Sequence, residues 1–204
     1  MEEIMDISFS FFFGTTIKLF ALMTPPAVLS AFLSGTRHYD RQRKRYTARR
    51  TSYAVFIIGI TLYFIGEQIF SLFGFTLDAF RIGAGALLFL SAVSLMNETP
   101  EHPFTSDKDD ISVVPLAIPL CMGPASIGTV MILGASAANF TERVMGALAL
   151  FVASCGILAT LLLADKIEKV LKPTGIAVLA KLTGLLLAAI AAQVIFTGMQ
   201  AFIS

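Results

Sequence analysis

The sequence contains no tryptophan, only two cysteines and two histidines, and few charged residues. Cys121 and Cys155 both lie in apolar stretches, so they give no disulfide framework. His38 and His102 lie in separate polar segments, each without a second histidine or cysteine at metal-ligand spacing, so we expect no metal site. The acidic N-terminus lacks the basic start of a secretory signal peptide, and we predict none.

Charge is scarce throughout the chain. Charged residues make up 14% of the 204 residues and hydrophobic residues 56%, and the mean hydropathy is +0.79. A soluble domain carries about 25% charged residues, because water must wet its surface. The charges here lie in short runs between long apolar stretches. This pattern predicts an integral membrane protein in the lipid bilayer, and it excludes a soluble enzyme, a nucleic-acid-binding protein and a disordered chain.

Six apolar stretches are long enough for a helix to cross the hydrocarbon core. They are 7–34, 52–72, 79–96, 111–138, 143–164 and 176–203. Nothing alternates at period two like a barrel strand, so the predicted fold class is all-α with six transmembrane helices. The first and fourth stretches are longer than a span requires, and prolines interrupt both.

The distribution of basic residues predicts the orientation. The predicted loop 35–51 holds seven Lys or Arg, and the two other loops on its side bring the total to eleven. The opposite side has only Arg81 and Arg143 nearby. The positive-inside rule therefore places loop 35–51 in the cytoplasm and both termini outside. This topological role accounts for the basic run without nucleic acid, and the acidic segment 97–110 is predicted to be a solvated cytoplasmic linker.

The two interrupted stretches can be aligned with each other. Pro25 and Pro124 are 99 residues apart, and Arg81 and Lys181, in similar contexts, are 100 apart. This common offset predicts a duplication with repeats at 1–96 and 111–204. Each repeat would hold three spans, and because three is odd the second would be inverted in the membrane, as in many transporters.

The paired breaks are the predicted binding site. Half-helices that begin at Pro25 and Pro124 would direct free N–H groups at a carboxylate. The carbonyls of Leu22, Met23, Cys121 and Met122 would suit an ammonium group or Na⁺. In the alternative, the prolines only kink the helices, and the Ser and Thr hydroxyls bond to the backbone of their own helix. The expected substrate- or ion-binding residues are Thr24, Pro25, Ser30, Cys121, Gly123, Pro124, Ala125, Ser126, Thr129 and Lys18.

Two further features leave alternatives open. Lys18 lies two turns before Pro25, where it would serve either as a counter-ion for a carboxylate or as an interfacial, snorkelling lysine. A stripe of small residues at every fourth position of the sixth span permits close helix contact. We favour packing within the chain, with an oligomer interface as the alternative. The stripe comprises Ala180, Gly184, Ala188 and Ala192.

Three segments carry a family resemblance. Ser112–Ile127, with its Pro-Leu-Cys-Met-Gly-Pro core, resembles the fourth-span signature of the MarC family, also described as neutral amino acid transporters. Phe73–Gly85 is similar to that family's third-span entry, and Leu19–Pro25 to its first-span break. The chain departs from the family pattern at Thr24, where Asn is usual, and at Ala125, where Gly is usual.

The resemblance implies a six-span protein of the cell inner (plasma) membrane with both ends outside. Some archaeal relatives are associated with transport of glycine and alanine. We therefore expect a secondary transporter of small neutral amino acids, with no cofactor and with Na⁺ or H⁺ as the coupling ion. A channel, a structural or regulatory membrane protein, and an exporter of other small polar solutes are the alternatives. No metalloprotease or serine-hydrolase motif is present, so we expect no enzymatic activity.

Overall fold

A computed structural model describes residues 2–74, 76–97 and 112–203, and every element in these ranges is helical. Seven α-helices and one π-helix follow one another in the described residues. They are α1 (Glu2–Leu22), α2 (Pro25–Gly35), α3 (Arg41–Phe73), α4 (Leu77–Asn97), the π-helix (Ser112–Cys121), α5 (Pro124–Ala135), α6 (Phe140–Leu162) and α7 (Ala164–Ile203). The predicted acidic linker lies, beyond Asn97, outside the described residues.

Helices occupy each of the six predicted apolar stretches. Among the described residues, two helices are by length and composition long and apolar enough to cross a membrane, Phe140–Leu162 and Thr174–Ala201. A third candidate is the pair Phe11–Leu22 and Pro25–Gly35, which is bent by 42° at its break. Large apolar side chains are exposed along the outer surface, including Leu72, Leu90 and Leu185. Such an apolar exterior suits lipid rather than water.

The basic segment that we predicted as a loop is mostly helical, so its predicted extent of 35–51 is wrong. Helix α3 begins at Arg41, and the Asp40 carboxylate accepts a hydrogen bond from the Arg43 N–H at 3.2 Å. Arg, Lys and Gln are good helix formers, and the capping Asp starts a helix that nothing in the next turns interrupts. With 33 residues, α3 is about 50 Å long, so it extends beyond a hydrocarbon core of about 30 Å.

Packing joins the first part of the chain to the second. Helices α1 and α6 pack together, as do the π-helix and α3. Helix α2 contacts α7, and α5 contacts α4. The remaining large interfaces are α4 with α7, α3 with α5 and α3 with α6. One hydrophobic core therefore contains side chains from both 2–97 and 112–203.

Glycines set the closest helix approaches. Gly134 of α5 lies directly against the backbone of Tyr63 in α3. In the α4–α7 interface, a Cβ at Gly85 would lie 3.1 Å from the Ala191 carbonyl oxygen, and one at Gly198 would lie 2.7 Å from the Asp78 carbonyl oxygen. Within the predicted small-residue stripe, Gly184 is buried and its three alanines are half-buried.

An ion pair lies at the start of α4, with 2.6 Å between Asp78 Oδ1 and Arg81 Nη1. Helix α7 is kinked at Lys172, which has φ 57° and ψ 167° and directly precedes a proline. A residue before proline is pushed out of the helical region, so the chain turns there before the long span begins. We call the side formed by the ends of α2 and α6 and the starts of α3 and α7 the basic end.

Candidate functional site

The first helix break lies between Leu22 and Pro25, as the sequence predicts. Thr24 adopts a left-handed conformation, with φ 46° and ψ 58°. A β-branched residue adopts that conformation only at a cost of about 1–3 kcal/mol, so the surrounding packing must hold it. Met23 beside it is 1% exposed. The break is a rigidly packed feature rather than a loose loop.

The second break lies between Cys121 and Pro124. It follows the π-helix, whose wider turns are closed by bonds such as Met122 N–H to Ala117 C=O, 2.9 Å long. Prolines at 115 and 119 each remove a backbone donor, which disfavours an α-helix there. Gly123 is extended, with φ −75° and ψ 171°, and α5 starts at the next residue.

The two breaks meet each other across the core. The Ser126 hydroxyl donates to the Leu22 carbonyl, with 2.9 Å between the oxygens. The Thr24 hydroxyl points at the Leu120 carbonyl at 3.5 Å, the long limit of a hydrogen bond. These two hydroxyls bond across the halves rather than to their own helices. Simple proline kinks therefore do not describe this site.

The first break does not offer the free donors that we predicted. Pro25 and Pro26 have no N–H groups, and the N–H groups of Ala27 and Val28 both donate to the Thr24 carbonyl, at 3.0 and 3.1 Å. The prediction of an anion-binding N-terminus at α2 is therefore wrong. The reason is that two consecutive prolines remove the donors that a first helical turn normally leaves free. The Leu22 carbonyl is likewise not free, because it accepts from Ser126.

The start of α5 differs from that of α2. Only one proline begins α5, and the Ile127 N–H bonds to the Gly123 carbonyl at 2.9 Å. An α-helix ordinarily leaves the N–H groups of its first turn without an acceptor in the helix, and in α5 these positions include Ala125 and Ser126. The start of α5 therefore suits an anionic group better than the start of α2 does.

The residues of the two breaks are buried or half-buried in this conformation. Cys121 and Met122 are fully buried, and Ser126 is 4% exposed. Gly123 and Thr24 are half-buried. Among the described residues, the buried polar side chains are all serines or threonines, and none is charged. Two ionised groups of opposite sign would therefore be stabilised here by backbone dipoles rather than by ionic side chains.

The other predicted residues take different positions. Ser30 and Thr129 lie in the second turns of α2 and α5 and are half-buried. Lys18 is exposed on α1, while Pro25 is buried, so the structure does not bring this lysine to the breaks. Sequence reasoning missed the Leu120 carbonyl, because a backbone acceptor at the end of a π-helix has no residue-type signal.

Nearly the whole chain is similar to one known family of membrane proteins. The model of MarC family integral membrane proteins matches residues 9–203. The chain belongs to the MarC family. The resemblance seen in the three motifs is therefore confirmed, and this MarC protein is an integral membrane protein, as its composition predicts.

Relatives of this MarC protein span its length. It is 32% identical to the UPF0056 membrane protein YhcE of Escherichia coli (strain K12), with 95% of this chain and 92% of the relative covered. It is 32% identical to a UPF0056 membrane protein of Aquifex aeolicus, with 90% of each chain covered. It is 29% identical to the UPF0056 membrane protein MJ1677 of Methanocaldococcus jannaschii, with 90% of this chain and 93% of the relative covered. No solved structure shows a significant match.

Proposed function

We propose that the protein is a secondary transporter of small neutral amino acids or similar zwitterions, which bind between the two helix breaks. The contact of the breaks, with the Ser126 hydroxyl on the Leu22 carbonyl, carries this proposal. Transporter sites recur where two discontinuous helices meet near the midplane. A small substrate would replace this hydroxyl–carbonyl bond with its own ammonium and carboxylate groups.

The proposed architecture is an inverted repeat of two three-helix units. Its support is the 99-residue offset between Pro25 and Pro124 together with the reciprocal packing of the helices. If α1 corresponds to the π-helix and α3 to α6, the α1–α6 interface becomes the π-helix–α3 interface. If α2 likewise corresponds to α5 and α4 to α7, the α2–α7 interface becomes the α5–α4 interface. A two-fold relation between the halves would produce these exchanges, and it would also pair the α3–α5 interface with the smaller α2–α6 interface.

The orientation is proposed from charge. The basic end carries Arg41, Arg45, Lys166 and Lys169, while the opposite end has Arg81 and Arg143. The positive-inside rule places the basic end in the cytoplasm and both termini outside the plasma membrane.

The proposed substrate is neutral because the site has no described ionic partner for an excess charge. The Ala125 and Ser126 N–H groups, at the positive end of α5, suit a carboxylate. The carbonyls of Leu22 and Leu120, at the negative ends of α1 and the π-helix, suit an ammonium group. Since no described carboxylate is buried, carbonyl-bound Na⁺ is favoured over H⁺ as the coupling ion.

Counterflow in proteoliposomes tests this function. Liposomes loaded with unlabelled alanine should accumulate labelled alanine transiently, and glycine or serine should compete. Glutamate and lysine, which carry a net charge, are matched controls and should not compete. A sodium gradient should increase the rate if Na⁺ is the coupling ion. A folded protein that exchanges none of these amino acids would contradict the proposal, and uptake without counter-exchange would favour a channel.

A further inference from the structure

A cavity lies at the basic end, away from the helix breaks. Its volume is about 390 Å³. Five basic side chains and one carboxylate line it, so its net charge is +4. They are Arg41, Lys44, Arg45, Lys166, Lys169 and Asp165. Lys44 Nζ and Asp165 Oδ1 form an ion pair in its wall, 2.7 Å apart.

The charges of this basic cavity come from distant parts of the chain. Arg41 and Arg45 lie in the first turns of α3, and Lys166 and Lys169 in the first turns of α7. Two helix N-termini, each with a positive dipole end, therefore meet at the same cavity. The positive-inside rule requires basic residues near a cytoplasmic loop, but it does not require them to converge on one cavity. The convergence favours an anionic ligand.

An apolar groove lies next to the basic cavity. It has a volume of about 470 Å³ and lies between the ends of α1 and α6, α2, and α7 from Ile167 to Leu186. Residues that are close in the chain line the two spaces. On α7, Lys166 lines the cavity and Ile167 lines the groove. On α2, Phe32 lines the cavity and Leu29 lines the groove.

The two threonines that line the groove both have hydrogen-bonded hydroxyls. The Thr160 hydroxyl donates to the Gly156 carbonyl at 2.9 Å, and the Thr183 hydroxyl to the Leu179 carbonyl at 2.8 Å. The rest of its described wall is apolar, and it reaches Pro26 beside the first break. Such a groove suits a hydrocarbon chain.

We propose that the basic cavity and the apolar groove together bind one anionic phospholipid. The phosphate headgroup lies among Arg41, Arg45, Lys166 and Lys169, and an acyl chain lies in the groove. Basic pockets between membrane helices bind anionic headgroups in this way. A free phosphate would leave the groove empty, whereas a phospholipid matches both the charge and the apolar wall. The site is separate from the proposed amino-acid site and does not depend on transport.

Native mass spectrometry of the full chain in mild detergent tests the site. Phosphatidylglycerol and phosphatidylcholine with identical chains are titrated separately, together with inorganic phosphate. The test variant is Arg45→Gln with Lys169→Gln, which removes two charges from the cavity. The matched control is Arg37→Gln with Arg49→Gln, which removes two exposed charges outside it. Size-exclusion profiles establish that both variants fold.

The expected result is preferential binding of one phosphatidylglycerol, weakened at least about 10-fold in the test variant and less than about 3-fold in the control. Ile167→Asn should weaken phospholipid binding in the same way, because it places a polar group in the groove. Equal loss in both charge variants would overturn the proposal, since it would show a diffuse charge effect. Equal binding of phosphatidylcholine, or binding of phosphate as strong as that of the lipid, would also overturn it.

Discussion

Replacing Gly134 with alanine is expected to remove most of the folded protein. A Cβ at this position would overlap the carbonyl oxygen of Tyr63, which is backbone and cannot rotate away. Overpacking of this kind costs about 1–3 kcal/mol even where side chains relax, and more where helices must separate. The α3–α5 interface that would open also holds the second break in place. Fluorescence-detected size exclusion after heating measures the loss.

Gly83→Ala is the matched control. A Cβ at Gly83 would meet nothing within 4 Å, and the residue lies exposed on α4. Alanine is favoured over glycine inside a helix by about 1 kcal/mol, so this variant should be slightly more stable than the unmodified protein. The same chemical change is thus expected to act in opposite directions at the two positions. Equal stability of the two variants would contradict the close α3–α5 approach.

Replacing Gly123 with leucine is expected to suppress amino acid exchange while the protein stays folded. Gly123 is extended at φ −75°, a conformation that any residue adopts, so the backbone does not require glycine. The residue is half-buried between the π-helix and α5, and a leucine side chain would fill the space proposed for the substrate. An overpacking cost of about 1–3 kcal/mol corresponds to about 5- to 150-fold weaker substrate binding.

Gly123→Ala provides the control, because it keeps the backbone conformation and adds a single methyl group. It should retain more exchange than the leucine variant, and the loss should increase with side-chain volume. Concentration dependence of alanine counterflow gives both values. Full exchange in the leucine variant would exclude a substrate path beside Gly123.

Much of the fold could be predicted from local sequence. Apolar length located the helices, and prolines 25 and 124 located the starts of α2 and α5, because a residue without an N–H begins a helix readily. The start of α3 was predicted to be a loop, because the basic residues of this segment were used only to predict the orientation in the membrane. The Asp40 cap was a local signal for it.

The long-range features could not be predicted in this way. Lys44 and Asp165 are 121 residues apart, and neither has a local pattern that names its partner. The same holds for the Ser126–Leu22 contact, although both residues belonged to the predicted site. The loss of donors at α2 was visible in the sequence as two consecutive prolines. Pro25 predicts a helix start. Pro26 removes a second N–H group, so the start of α2 loses the donors that would bind an anion.

The accessibility of Cys121 tests most directly whether the two breaks separate around a substrate. Cys121 is fully buried beside the second break, while Cys155 is exposed and is replaced by serine for the measurement. A small charged methanethiosulfonate reagent is applied to membranes with and without saturating alanine. We predict slow modification of Cys121 that alanine slows at least several-fold. Modification at the same rate with and without alanine, or none at all in a protein that exchanges alanine, would contradict the proposed site.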